Sequence, residues 1–359
     1  MSRLRIPLSK PRPDCAAFIQ AVTTPREFDR PRLVEYLVNA PVMRAVVERL
    51  GREWAEPSTS LGPGPAAGDA YWDNFIAMWH RLGYDFVRLE LAMSFPRGSR
   101  PGGDANRVYA ETARGPIASW ADFERYPWPA VRDELFRPHE YVAAHLPDGM
   151  GLLSCHAGGI YEHLSGLMGY ETLCIALFDQ PDLVQAVCNR IGMLMAAYYQ
   201  RLLQVPRLAA IFPGDDMGFR SGTLLSPDHL RRYTLPWHEK FAAMAHKAGL
   251  PYFLHSCGNV EALLPDLIER VGIDAKHSFE DAITPIAEFK RRWGGRIGVL
   301  GGVDIDKLAR LAPADLRVYV RGIIEACAPG GRFALGSGNS IPDYIPVENY
   351  LTMIDEALA

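Results

Sequence analysis

From about residue 82 onward, short apolar runs rich in β-formers alternate with stretches of helical periodicity, and this rhythm constrains the fold more than anything else in the chain. The runs that read as strands are Asp85–Leu91, Gly151–His156, Ala209–Phe212, Pro251–His255, Ile273–His277, Ile297–Leu300 and Arg332–Leu335, with an eighth near Val108–Thr112 or hidden elsewhere. Between them lie amphipathic helices expected over Leu183–Leu203, Pro227–Ala248, Val260–Arg270, Ile283–Trp293 and Ala314–Cys327. Several close on glycine, as in Ala248-Gly249, where a left-handed cap is needed. Polar or Gly-rich clusters follow the strands one after another: Pro213-Gly-Asp-Asp216, His255-Ser-Cys257, His277-Ser-Phe-Glu-Asp281, Gly301-Gly-Val-Asp304 and Gly336-Ser-Gly-Asn-Ser340. An open doubly wound sheet would gather such groups at one crevice, so their spread favours an α/β TIM-type (β/α)8 barrel. Residues 81–359 are assigned to that barrel as a single catalytic domain. Residues 1–80, with a Pro-rich entry, a helix expected around Arg32–Arg52 and a loop at Gly62–Gly68, are assigned to an N-terminal helical cap over its mouth.

Composition removes several alternatives. A chain of 359 residues that is 48% hydrophobic can bury one large core. Its formal charge of −4, with acids and bases interspersed, leaves no electrostatic footprint for nucleic acid. No apolar run approaches the ~18 residues of a membrane span, and the basic start is followed by prolines rather than a signal segment, so a cytoplasmic protein is expected. The six cysteines form no C-x-x-C pair, which argues against both a disulfide framework and a thiolate-only zinc knot.

The strand end at His255 carries the sharpest chemical signal. Residues two apart in a strand share a face, so the His255 imidazole and the Cys257 sulfur can converge on one ion, and Gly258 lets the backbone turn away. The bland alternative is a partly buried histidine beside an inert thiol. A third ligand is sought among Asp216, His277 and Glu280, which follow the neighbouring strands. Asp215 and Asp216 can equally cap the next helix, yet paired carboxylates need a cation, Arg220 or a protonated substrate group if buried. His277 sits where general acid/base groups sit in barrels, and Asn339 is presented by a Gly-rich turn. Tyr161, Glu162, Asp215, Arg220, Glu280 and Asp304 are the remaining candidates for substrate contact. Nothing resembles a G-x-S-x-G elbow, an H-E-x-x-H helix or a P-loop.

Several of these stretches together resemble the uroporphyrinogen decarboxylase superfamily: Gly214-Asp-Asp-Met-Gly218, Phe253-Leu-His-Ser-Cys-Gly258, Leu300-Gly-Gly-Val-Asp304 and Gly336-Ser-Gly-Asn-Ser-Ile-Pro342 leading to Pro346-Val-Glu-Asn349. The departures point away from the decarboxylase itself. Met43-Arg-Ala-Val46 lacks its R-Q-A-G-R-Y motif, Leu91-Ala-Met-Ser-Phe95 lacks its catalytic aspartate, and Asn339 stands in place of its late histidine. The closer likeness is to the zinc-dependent, corrinoid-linked methyltransferases, whose H-x-C ligands match His255 and Cys257, while Asn339 replaces their distant cysteine. That likeness implies a zinc ion and a methylated small molecule such as a methyl ether. A corrinoid on a separate partner protein would accept the methyl group, and a homodimer is compatible with this reading. An O/N-rich ligand set would favour a hard oxygen over a thiol. The rival expectation is a metal-independent decarboxylase or lyase in which Asp216, His277 and Asn339 handle protons. A binding protein without catalysis is disfavoured by the number of polar strand ends.

Overall fold

The computed structural model describes residues 4–57, 67–97 and 114–359. Within them eight strands occur in chain order: β1 (Arg32–Leu33), β2 (Phe86–Leu91), β3 (Gly151–His156), β4 (Leu208–Ile211), β5 (Phe253–His255), β6 (Ala275–His277), β7 (Gly298–Leu300) and β8 (Phe333–Leu335). All ladders are parallel and run β1-β8-β7-β6-β5 in one sheet and β2-β3-β4 in the other. Single bridges, Ile211 to Tyr252 and Gly214 to His255, join β4 to β5. On the other side Arg32 pairs with Asp85 at 3.1 Å, and Arg88 donates to the Tyr36 carbonyl at 2.9 Å, linking β1 to β2. The expected α/β barrel is the fold, and the strands read from sequence from Asp85 onward recur with ends shifted by at most two residues.

The N-terminal region departs from expectation. The helix expected over Arg32–Arg52 is instead β1 followed by a helix at Ala40–Arg49. Leu33 pairs with Leu335, and Pro41 in the first helical turn allows the helix to start only after Asn39. The first 80 residues therefore supply a strand to the parallel sheet as well as covering elements. The eighth strand sought at Val108–Thr112 and most of the Gly62–Gly68 loop lie outside the described residues. Prolines also account for three helix differences. Pro265 breaks the stretch after Val260 into short turns, Pro285 delays the next helix to Ile286–Trp293, and Pro236 opens a second helix within Pro227–Ala248.

The barrel interior is graded from apolar to polar. At its base the helix Cys15–Thr23, capped by the Asp14 carboxylate, inserts Phe18 between Phe86 and Phe253, at ring separations of 4.6 and 6.5 Å. One strand period higher come Arg88 on β2 and His255 on β5, because alternate residues face the same side. The mouth follows.

Candidate metal centre

The C-terminal ends of two strands, β4 and β5, and the loops that follow them build the centre. After β4 the chain lays Asp216 beside the end of β5, where the Cys257 N–H donates to the Asp216 carboxylate at 2.9 Å. Past His255 the backbone turns at Gly258, whose φ of +73° places it against Gly218, where a Cβ would lie 2.3 Å from backbone. The Met217 N–H donates to the Ser256 hydroxyl at 3.2 Å and braces the same junction. The result is a cluster of Asp216, His255 and Cys257 whose ligand atoms lie within 4.8 Å of one another. The Cys257 sulfur is 3.2 Å from His255 Nε2, which is 3.5 Å from the Asp216 carboxylate. Four-coordinate zinc, with bonds of about 2.0–2.3 Å, places its ligand atoms roughly this far apart, and a mixed O/N/S set is one that zinc accepts.

The proton positions around His255 follow from its neighbours. His277 Nε2 lies 3.3 Å from the Ser337 carbonyl, which can only accept, so this nitrogen carries the hydrogen. His277 is fully buried; burial first, then His255, Lys276 and Arg88, hold its pKa well below the usual range and keep it neutral. Its Nδ1 is therefore a lone pair, and it accepts from His255 Nδ1–H at 2.7 Å. His255 Nε2 is left facing Asp216 and Cys257, where a proton and a metal ion would compete for one lone pair.

Charge around the cluster matches a cation. Burial opposes ionisation of Asp216, but His255 and the Cys257 N–H outweigh it and bring its pKa down to about 2. Burial, then the Asp216 charge, pushes the Cys257 thiol up to about 12, opposed by donors from Ser278 and Asn339. The Asn339 amide donates to the Cys257 sulfur at 3.1 Å, and the Ser278 hydroxyl at 3.6 Å. Glu162 is raised to about 8 by burial, followed by the charges of Asp215, Asp216 and Glu90. This is an excess of negative charge that a divalent cation would relieve.

Of the three candidate third ligands, then, Asp216 joins His255 and Cys257, and the other two do not. His277 is level with His255 across β5 and β6, so its ring lies beside His255 below the mouth and cannot meet a substrate. Glu280 is exposed and lines a cavity whose wall also includes Gly258, Lys276 and Ser278, and its carboxylate is not among the clustered ligand atoms. Asp215 faces away from its neighbour and is wholly buried. It accepts from the Tyr161 and Glu162 N–H groups at 3.0 and 3.1 Å, capping the helix Ile160–Met168, and from His238 at 2.9 Å. Asp304 likewise caps the helix Ile305–Arg310, through the Asp306 and Lys307 N–H groups. Both were expected to touch substrate, and both are occupied with backbone. Tyr161 is buried and Arg220 is exposed, whereas Glu162 stays part-exposed near Asp216.

Sequence reasoning missed a buried column beside the centre. The Tyr36 ring stacks on His255 at 4.0 Å with a 13° interplanar angle, and the Arg88 guanidinium lies over the Tyr36 ring at 3.4 Å. Arg88 is buried and pairs with Glu90 at 2.6 Å. The signal was present in Phe86-Val-Arg-Leu-Glu-Leu91: two charges on one face of an apolar strand must be paired and must face something polar.

Similarity to known proteins extends over both the sequence and the fold. The family model described as uroporphyrinogen decarboxylase (URO-D) matches residues 108–358. No curated protein matches the chain. Among solved structures, a methyltransferase from Methanosarcina mazei superposes with a TM-score of 0.71 at 16% identity, covering 96% of this chain and 98% of the other. A proposed vitamin-B12-independent methionine synthase from Listeria monocytogenes follows at TM-score 0.50 and 11% identity, over 94% and 96%. At such identities these two structures speak to the fold. The family model covers well over half of the chain, and the protein belongs to the uroporphyrinogen decarboxylase (URO-D) family of enzymes.

Proposed function

We propose that this enzyme is a small-molecule methyltransferase or demethylase in which Asp216, His255 and Cys257 hold a zinc ion and a corrinoid on a separate protein accepts the methyl group. The observation that carries the reading is the Asp216–His255–Cys257 cluster at the C-terminal end of β4 and β5, with His255 Nε2 directed toward the other two side chains. The reaction class comes from the corrinoid-linked branch that the H-x-C pair resembles, and a methyltransferase shares the fold. Zinc bound there would supply Lewis acidity toward a hard oxygen such as that of a methyl ether.

The chain's own residues have definable tasks. Asn339 and Ser278 donate to the Cys257 sulfur and draw off part of its charge. His277 holds the His255 ring by its Nδ1–H. Loss of a methyl group from an ether leaves an alkoxide that must gain a proton. Glu162, raised to about 8 by burial and then by its acidic neighbours, holds one at the mouth. Aromatic Tyr36 walls the site behind His255.

The test is methyl transfer from a panel of methoxylated compounds to free reduced cobalamin at high concentration, using zinc-loaded protein. Formation of methylcobalamin that is lost in His255→Ala supports the reading. Absence of transfer across the panel, with release of carbon dioxide from a carboxylated compound, would replace it with the lyase.

A further inference from the structure

Glu35 is fully buried, and no cation pairs with it among the described residues. Its carboxyl accepts from the Tyr36 N–H at 3.1 Å, from the Ser337 N–H at 3.2 Å and from the Ser337 hydroxyl at 2.5 Å. Burying a carboxyl in this way is costly, and nothing in the proposed chemistry uses it directly. Its position in the network explains its presence. Ser337 is the residue whose carbonyl receives His277 Nε2–H, and His277 in turn receives His255 Nδ1–H. By anchoring both the N–H and the hydroxyl of Ser337, Glu35 holds that residue in the orientation that presents its carbonyl to His277. The Gly338 N–H, bonded to the Val303 carbonyl at 2.6 Å, clamps the other side of the same peptide. Gly301, at φ +91°, leaves the space: a Cβ there would stand 2.2 Å from the Ser337 carbonyl oxygen and 3.0 Å from His277 Nε2. The next residue in sequence, Tyr36, packs flat against the His255 ring, and Arg88 closes the stack from behind.

We infer that Glu35 and Tyr36 are the positioning pair of the metal centre: Tyr36 sets the plane of the His255 ring, and Glu35, through Ser337 and His277, sets which His255 nitrogen carries the hydrogen. The inference rests on the reading of His255 as a ligand, but its first consequence does not need the metal. The alternative tautomer of His277 would carry hydrogen on Nδ1, force His255 to accept there and put hydrogen on His255 Nε2, closing the lone pair to any ion. Groups that orient a ligating histidine from behind typically change metal affinity by about 10–100-fold when removed.

Glu35→Gln is the discriminating variant, compared with the parent above pH 8.5, where the Glu35 carboxyl has lost the proton that burial holds on it up to about pH 8, because it keeps volume while placing an NH2 group against a donor, either the Ser337 N–H or the Ser337 hydroxyl and Tyr36 N–H. Tyr36→Phe and Tyr36→Leu separate stacking from bulk. Histidine side-chain nitrogen NMR on metal-free protein reads the tautomer, and zinc competition against a chelating dye reads affinity. In the parent protein His277 should show a protonated Nε2 and an unprotonated Nδ1. Glu35→Gln should populate the second tautomer and weaken zinc by roughly 10-fold or more; Tyr36→Phe should retain affinity, and Tyr36→Leu should lose about as much as Glu35→Gln. Should Glu35→Gln not fold, Ser337→Ala removes only the hydroxyl bond and should shift the tautomer in the same direction by less. A folded Glu35→Gln, or a folded Ser337→Ala in its place, with parental tautomer and zinc affinity would overturn the inference. A parent protein that binds no zinc while its tautomers respond to Glu35→Gln would instead overturn the zinc reading and leave the positioning role standing.

Discussion

The Asn339 side-chain amide donates to the Cys257 sulfur at 3.1 Å, from the loop that follows β8 to the loop that follows β5. With an amide in this place the cluster holds one cysteine, and its sulfur accepts a hydrogen bond from the NH2 group where a second thiolate would repel it. Asn339→Cys should bring a second sulfur to the cluster and tighten zinc by at least about 10-fold, because soft thiolates bind it well. Activity on an ether oxygen should fall at the same time, as the ion becomes a weaker Lewis acid. Zinc affinity and kcat/KM measured together check this, and a variant with unchanged affinity would place residue 339 outside the centre.

Adjacent aspartates should behave in opposite ways. Asp216→Ala should abolish stoichiometric zinc at a smaller cost in stability, since its side chain is 40% exposed and its removal frees one backbone donor, the Cys257 N–H. Asp215→Ala strips the acceptor from two helix N–H groups and from His238, all buried, and should cost roughly 2–4 kcal/mol in urea unfolding. Equal losses of stability in the two variants would contradict the division of labour.

Metal analysis of protein prepared without chelator should give about one zinc per chain, reduced below a tenth of that by His255→Ala or Cys257→Ala, given three protein ligands of which one is removed. Protons compete for the His255 and Cys257 lone pairs, so zinc affinity should rise with pH. Affinity that is flat between pH 6 and pH 8, measured by competition, would argue against a thiolate–imidazole site.

Burial pushes the Glu35 carboxyl up to about 8, against donors from Ser337 and Tyr36 that act to lower it. The folded pKa is above the unfolded one, so the folded state holds this proton more tightly. The associated stability is fully present below the unfolded pKa of about 4.5 and is lost as pH rises through about 8. Each tenfold gain in proton affinity is worth about 1.4 kcal/mol, so the effect amounts to a few kcal/mol. Glu35→Gln should flatten the decline of unfolding free energy between pH 5 and pH 8.5, whatever its effect on absolute stability. Identical slopes for parent and variant would refute the assignment.

By itself the sequence determined the barrel and the seed of the site. Strand and helix periodicities are local, so seven strands could be read from the chain, and His255 and Cys257 are two residues apart, so their meeting needed only the pleat of one strand and a turn at Gly258. What it could not determine depends on register between strands far apart in sequence. Gly214 pairs with His255, which carries Asp216 up to the Cys257 N–H, whereas His277 pairs level with His255 and is held below the mouth as its hydrogen-bond partner. Three residues with equal claims from sequence thus became a member of the Asp216–His255–Cys257 cluster, a support for His255 and, for Glu280, an exposed side chain outside the cluster. As an isolated segment Arg32–Leu33 suits the start of the helix expected there, and only the parallel pairing with β8 makes it a strand. That long-range pairing places Glu35 against Ser337 and lays Tyr36 on the His255 ring, contacts across hundreds of residues that no local pattern encodes.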